Sequence, residues 1–471
     1  MQDVIFREYD IRGKVGQDFR VERTYQLAQA LACYFINQNS ATKKIAVAMD
    51  GRTHSPIIKE HLVAGLLDAG LDVEFIGMCP SPALYFALHT RDYDAGIMIT
   101  ASHNPKEYNG LKLCLGTQSM WGGQVKDVRD LFKQKASWIA ADKGSYTEAS
   151  IRESYISYLV REFSHLRLLK MPMVIDCGNG MAGTVIPELL NRLEWQEYEL
   201  LYPEVDGSYP NHEADPTVYN NMIDLAHRLA QTNAVLGVGF DGDCDRMAAM
   251  THTGYLVPGD TLLSLFASDL LEKYPGRAVV CDVKSSQGLI DSIGELGGQA
   301  VMSPAGHAIV KEYMQRSNAI IGGELSCHFV FNDRYFGFDD GIYAFLRLCE
   351  LLVERNDSLD NLLAAMPTWH SSQEFRIPCL EEQKETIINH ALEYFQQIDG
   401  AHFTLLDGMR VQLPYGWGLV RASNTQAMIS LRFESSTTEG FNRLGNDFIA
   451  LLSPHVDVSV LQQSLQAGER A

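Results

Sequence analysis

Val235-Leu236-Gly237-Val238-Gly239-Phe240 runs directly into Asp241-Gly242-Asp243-Cys244-Asp245-Arg246. A short apolar run ending abruptly in a polar loop reads as a buried strand that delivers its loop to a binding face. The same pattern recurs on both sides. Ile45-Ala46-Val47-Ala48-Met49 leads into Asp50-Gly51-Arg52, and Ala95-Gly96-Ile97-Met98-Ile99 into Thr100-Ala101-Ser102-His103-Asn104-Pro105. Met173-Val174-Ile175 leads into Asp176-Cys177-Gly178-Asn179-Gly180. Ala278-Val279-Val280-Cys281 leads into Asp282-Val283-Lys284-Ser285-Ser286, and Ala319-Ile320-Ile321 into Gly322-Gly323-Glu324-Leu325-Ser326. Helical segments separate these runs: Ser55 is placed to cap one, Pro56 to occupy its first turn and Gly70 to end it. Alternating strands and helices predict α/β domains with largely parallel sheets, which bind ligands outside the carboxyl ends of their strands.

The length of 471 residues allows several domains. Polar stretches at 141–150 and 356–372, with the turn after Met250, divide the chain at 1–150, 151–255, 256–370 and 371–471. Apolar residues make up 46% and charged ones 21%, a globular balance. A net charge of -20, from 39 basic and 59 acidic residues, opposes nucleic acid and anionic membranes as partners. Any anionic ligand therefore needs a local positive pocket. The first residues lack the basic and apolar pattern of a secretory signal, and no stretch approaches the roughly 18 apolar residues of a membrane helix. A cytoplasmic location is expected. Nine scattered cysteines form no Cys-x-x-Cys pair, which argues for reduced packing residues instead of disulfides or zinc.

Asp241, Asp243 and Asp245 stand at alternate positions, so in an extended segment they would project to one side. Three converging carboxylates call for a hard divalent cation, and Mg²⁺ suits a few carboxylates shared with a phosphate. The bland alternative is an acidic surface turn; an EF-hand is a weak reading because Arg246 and His252 occupy its glycine and glutamate positions. Ser102 beside His103 offers a nucleophile or merely a helix cap. Lys112 would reach it if the loop doubles back, and could exchange protons if burial or a neighbouring cation lowered its pKa. Glu324, Ser326 and His328 offer hydrogen bonds suited to sugar hydroxyls. Arg421-Ala422-Ser423-Asn424-Thr425 reads as a phosphate clamp or an ordinary loop. Gly178 to Gly183 matches a dinucleotide fingerprint but lacks a clear acidic residue closing a following strand.

Together with Phe6-Arg7-Glu8-Tyr9-Asp10-Ile11-Arg12-Gly13, these loops closely resemble the α-D-phosphohexomutase family, nearest its bacterial phosphomannomutase/phosphoglucomutase branch, and the motifs stand in family order. The resemblance implies a four-domain, heart-shaped molecule: three related mixed-sheet α/β domains and a C-terminal α+β domain. It implies an intramolecular phosphotransferase that interconverts hexose 1- and 6-phosphates through a phosphoserine at Ser102. Mg²⁺ and hexose 1,6-bisphosphate, as activator and intermediate, would be the cofactors. Ser102, Asp241, Asp243 and Asp245 would hold the metal. Lys112, Arg12, His103 and Arg246 would serve the transfer. Tyr9, His307, Glu324, Ser326, His328, Arg421, Ser423, Asn424 and Thr425 would hold the substrate. Hexose phosphates are the expected partners of a monomer or weak homo-oligomer. Two positions depart from the branch: Cys327 replaces a glycine, and Gln426-Ala427 replace an acidic residue and proline. Phosphoglucosamine mutase is the nearest rival, and a metal-dependent phosphatase, a non-catalytic sugar-phosphate binder and an oxidoreductase are rivals from other classes.

Overall fold

The computed structural model describes residues 1–422 and 427–467. They form two compact units, Met1–Leu262 with Ser326–Leu363, and Leu263–Leu325 with the chain from Ala364 onward.

The first unit contains a seven-stranded sheet built from β1 (Ile11–Lys14), β2 (Lys44–Met49), β3 (Asp72–Met78), β4 (Ala95–Ile99), β5 (Tyr108–Leu115), β6 (Gln118–Ser119) and β7 (Tyr146–Glu148). Its order is β1-β5-β4-β2-β3-β7, with β6 on β5. Strands β2, β3, β4 and β7 pair in parallel, whereas β5 runs antiparallel to both β1 and β4. The sheet is therefore mixed. The cause is local: the chain after β4 turns back on itself through residues 100–107 without a crossover helix, and a direct reversal makes antiparallel neighbours.

Helices α1 (Thr24–Gln38) and α2 (Ser55–Asp68) cover this sheet. Their apolar residues at helical spacing, Leu27, Leu31 and Phe35 on α1 and Ile58, Leu62 and Leu66 on α2, join Ile45, Val47, Ile97 and Ile99 in one core. Pro56 occupies the first turn of α2 as expected, but Ser55 is its first residue and not its cap. The Ser55 hydroxyl donates to Asp50 Oδ1 at 2.6 Å instead. Gly70, at φ +80°, ends the helix in the left-handed conformation that glycine adopts without a Cβ clash.

A second sheet repeats the device with β8 (Met173–Asp176), β9 (Tyr198–Leu201), β10 (Leu236–Phe240), β11 (Met247–Thr251) and β12 (Leu256–Val257), in the order β12-β11-β10-β8-β9. Strand β10 is parallel to β8 and antiparallel to β11. Residues 241–246 form the reversal between them. They are a tight turn, not the extended segment expected, with Cys244 at φ +63°. The three carboxylates thus converge because the backbone curls, not because a strand alternates its side chains.

In the second unit β13 (Ala278–Asp282), β14 (Gln299–Ser303) and β15 (Ile321–Gly323) pair in parallel. The short strand β16 (Phe329–Phe331) lies in the first unit. The chain then enters a six-stranded sheet in the second unit: β17 (His370–Ser371), β18 (Phe375–Pro378), β19 (His402–Thr404), β20 (Met409–Leu413), β21 (Gly416–Ala422) and β22 (Met428–Ser435). All its pairings are antiparallel. Helices Gln383–Phe395 and Thr438–Leu452 pack Ile387, Phe395, Leu444, Phe448 and Leu452 onto Val411, Val420, Leu431 and Phe433. No helix among the described residues is long and apolar enough to cross a membrane.

Candidate active site

In the first unit the reversal after β4 meets the reversal after β10. Ser102 is buried at φ +49°, a left-handed conformation that costs a non-glycine residue energy and so has to be held by its surroundings. Thr100 Oγ1 accepts the Ser102 N–H at 2.9 Å. The Ser102 hydroxyl donates to Asp241 Oδ2 at 2.6 Å and lies 3.2 Å from His103 Nδ1. The two backbones are almost in contact, since a Cβ at Gly242 would stand 2.6 Å from the Ser102 carbonyl oxygen. Only glycine permits that approach.

Asp241, Asp243 and Asp245 have 0% exposure, and one carboxylate oxygen from each lies within 4.8 Å of the others. Lys112, carried in by β5, donates to Asp243 Oδ2 at 2.6 Å and to Asp245. Ser81, at the start of α3 (Ser81–Thr90), donates its hydroxyl to Asp243 Oδ2 at 2.5 Å and its N–H to the Asp243 carbonyl at 2.9 Å. Asp243 Oδ1 is buried without a hydrogen-bond partner. Burial first, and then repulsion from Asp245 and Asp243, pushes the Asp241 carboxyl well above its ordinary range. Arg246 and Lys112 offset this only in part, and two cations do not neutralise three buried carboxylates. An orphaned buried oxygen and unrelieved like charge are what a divalent cation would correct, so these residues fit one.

The neighbouring cations follow the same logic. Burial lowers the Lys112 pKa, but Asp243, Asp245 and Asp241 outweigh it and hold the group protonated. The lowered pKa on which proton exchange by Lys112 is conditional is therefore not found. His103 is pushed well below its usual range by burial and by Arg246 and Arg12, which keeps its ring neutral. Arg12 donates to Asn104 Oδ1 at 2.5 Å and pairs with Asp10, while Tyr9 is half-buried beside it in sequence. Arg246 donates its N–H to Asp241 Oδ1 at 3.2 Å and its Nε to His328 Nε2 at 3.3 Å. Ser326 Oγ lies 3.2 Å from His328 Nδ1, so these two residues join the same centre.

The second unit gathers a separate set. Glu324 Oε1 accepts the Gly306 N–H at 2.6 Å, just before buried His307 opens the helix His307–Ser317. Asp407 accepts from the Ala305 N–H at 3.2 Å and from Arg421 Nε at 3.0 Å, which ties the His307 turn to β21. Ser423, Asn424 and Thr425 lie outside the described residues. Sequence reasoning missed Asp407, Ser81 and Asn104. Asn104 lies in the same loop as Ser102 but carries no reactive group to single it out, and Asp407 and Ser81 lie outside the loops that flagged the others.

Four family models cover the chain in order: phosphoglucomutase/phosphomannomutase α/β/α domain I over residues 3–136, domain II over 153–254, domain III over 258–369 and the C-terminal domain over 374–451. The chain is an α-D-phosphohexomutase family member. A phosphomannomutase/phosphoglucomutase of Pseudomonas syringae pv. tomato is 38% identical over 97% of each chain. A phosphoglucomutase of Neisseria gonorrhoeae is 38% identical over 96% of this chain and 98% of that protein. The crystal structure of a phosphoglucomutase/phosphomannomutase family protein from Burkholderia thailandensis superposes with a TM-score of 0.89 at 33% identity, covering 97% of this chain and 99% of the other.

This phosphohexomutase thus has the four-domain α/β architecture of its family. The dinucleotide reading falls: Gly178–Gly183 opens only the short 3-10 turn Met181–Thr184, and the Met181 N–H is used by the Gly242 carbonyl instead of facing a pyrophosphate. Cys327 stands at φ +66°, where glycine is at home, and its carbonyl is pinned by the Met247 N–H at 3.2 Å. That backbone explains why a glycine is expected there. All nine cysteines are free thiols, and eight are buried.

Proposed function

We propose that this enzyme is a phosphomannomutase/phosphoglucomutase that interconverts hexose 1-phosphate and hexose 6-phosphate through phosphorylated Ser102. The observation that carries the reading is the Ser102 hydroxyl 2.6 Å from Asp241, inside a buried cluster of three carboxylates and Lys112. The free hydroxyl oxygen of a hexose monophosphate attacks the phosphorus on Ser102. Its O–P bond forms as the Ser102 Oγ–P bond breaks, and the sugar's hydroxyl proton ends on Ser102 Oγ. The regained hydroxyl has acceptors ready at Asp241 Oδ2 and the neutral His103 ring. The 1,6-bisphosphate formed then turns in the site and returns its other phosphate to Ser102.

Mg²⁺ held by Asp241, Asp243 and Asp245 with Ser102 would neutralise charge on the transferring phosphoryl group. Lys112 and Arg12 add positive charge, and the protonated state of Lys112 suits neutralisation better than base catalysis. Arg246 would border the metal, and His328 would lie against the substrate. His307, Glu324, Ser326 and Tyr9 bind the sugar, and Arg421 with Ser423, Asn424 and Thr425 grips the other phosphate. We further infer one loop of this machinery per domain, with domains at 1–150, 151–255, 256–370 and 371–471, and a cytoplasmic enzyme.

The test is a coupled assay on mannose 1-phosphate and glucose 1-phosphate with Mg²⁺ and trace hexose 1,6-bisphosphate. Formation of 6-phosphate is expected, and Ser102→Ala should lower kcat by about 10⁴-fold or more while leaving the fold intact. A fully active Ser102→Ala would refute the phosphoserine. Phosphate release without isomerisation would instead make the protein a phosphatase, and turnover of glucosamine phosphate alone would reassign the sugar.

A further inference from the structure

The turn Asp50-Gly51-Arg52 after β2 has no part in the chemistry above, yet it lies directly behind the nucleophile. Arg52 is 1% exposed. One of its terminal nitrogens donates to the Ser102 carbonyl at 2.7 Å and the Asn104 carbonyl at 2.6 Å. The other donates to the carbonyls of Pro105 at 2.8 Å and Tyr108 at 3.1 Å. Its Nε stands 3.2 Å from Asp50 Oδ2, and Asp50 is held in turn by the Ser55 hydroxyl and the Arg52 N–H. A buried guanidinium is costly unless it is paired and its donors are used. Here four of its bonds go to one reversal of the chain.

We propose that Arg52, anchored by Asp50, is a positioning residue that aims the Ser102 hydroxyl at the reacting phosphate. Each carbonyl bond fixes the plane of one peptide. The Ser102 carbonyl is tied to Arg52 and the Ser102 N–H to Thr100 Oγ1, so the residue is clamped on both sides of its left-handed backbone. The direction of its Cβ, and with it Oγ, is then set by the clamp. Arginine suits the task because its planar fork presents several donors at fixed angles, whereas lysine presents one compact charge. Within the Ser102 loop Arg52 meets carbonyl oxygens, and outside it the guanidinium faces Asp50 and the Tyr209 ring, 5.1 Å away, so it acts through Ser102. It is not a catalytic group.

The inference rests on the phosphoserine reading, and the experiment separates the two. Wild type, Arg52→Lys and Asp50→Asn are compared for phosphorylation of Ser102 by glucose 1,6-bisphosphate, read by intact mass, and for kcat and KM on glucose 1-phosphate. Urea unfolding reports whether each variant is folded. The wild type is expected to be phosphorylated at Ser102. Folded Arg52→Lys should lose about 10²-fold in both phosphorylation rate and kcat with KM little changed, because a small displacement of a reacting group has that effect. Asp50→Asn should lose less, in the same direction, and it decides the matter if Arg52→Lys does not fold. A folded variant with wild-type kcat, or one whose loss lies in KM alone, overturns the role of Arg52 and leaves the phosphoserine standing. A wild type that takes no phosphate at Ser102 overturns both.

Discussion

Two buried carboxylate sites in this molecule have opposite surroundings. Glu434, in the second unit, is 1% exposed and accepts from Ser286 Oγ at 2.8 Å, the Gln287 N–H at 3.0 Å, Trp417 Nε1 at 2.7 Å and Ser371 Oγ. Its negative charge is surrounded by donors, with Arg410 stacked 3.6 Å over the Trp417 ring. Asp241, Asp243 and Asp245 are equally buried but face one another, share one lysine and leave Asp243 Oδ1 without a hydrogen bond. The first arrangement is complete and holds strands together. The second leaves like charge and an unbonded oxygen of the kind that a cation could satisfy.

Three substitutions break or sharpen this contrast. Asp243→Asn should cut mutase turnover by about 10³-fold and shift the Mg²⁺ titration to higher concentration while the fold survives. An unchanged metal titration would remove Asp243 from the cation site. Glu434→Gln should do the reverse, leaving the metal response alone and costing about 2 kcal/mol of stability, because donors aimed at a charge lose their acceptor. Urea unfolding measures it, and an unmoved midpoint would contradict the structural role. Cys327→Gly should have the smallest effect: relief of its left-handed backbone is offset by the freedom glycine gains when unfolded, leaving stability within about 1 kcal/mol. Equilibrium unfolding with a kcat measurement checks this, and a large loss of either would show that the thiol has a role of its own.

The two sites also differ in how far they could be read from the chain. The aspartates, Ser102 and Lys112 stood out because each lies in or just after a polar loop that follows an apolar strand. Glu434 offered no such signal, since it sits inside β22 and its donors come from residues 286, 287, 371 and 417. Arg52 was visible as part of a loop after β2, but nothing nearby in sequence indicated that its guanidinium is spent on carbonyls of residues 102–108. Ser55 shows the same limit. Its sequence neighbourhood reads as a cap, and the fold uses its hydroxyl to hold Asp50.

Local order was set by the sequence itself: the periodicity of the strands and helices, the Pro56 and Gly70 boundaries of α2, and the loops in which reactive side chains are carried. These depend on neighbours within a few residues, where steric preference and hydrophobic spacing act directly. Tertiary structure alone decided that two chain reversals meet, that Lys112 is held protonated by carboxylates more than 130 positions away, and that Arg52 binds the carbonyls of the Ser102 loop. Charge state and aim depend on burial and on distant partners, which local sequence does not encode.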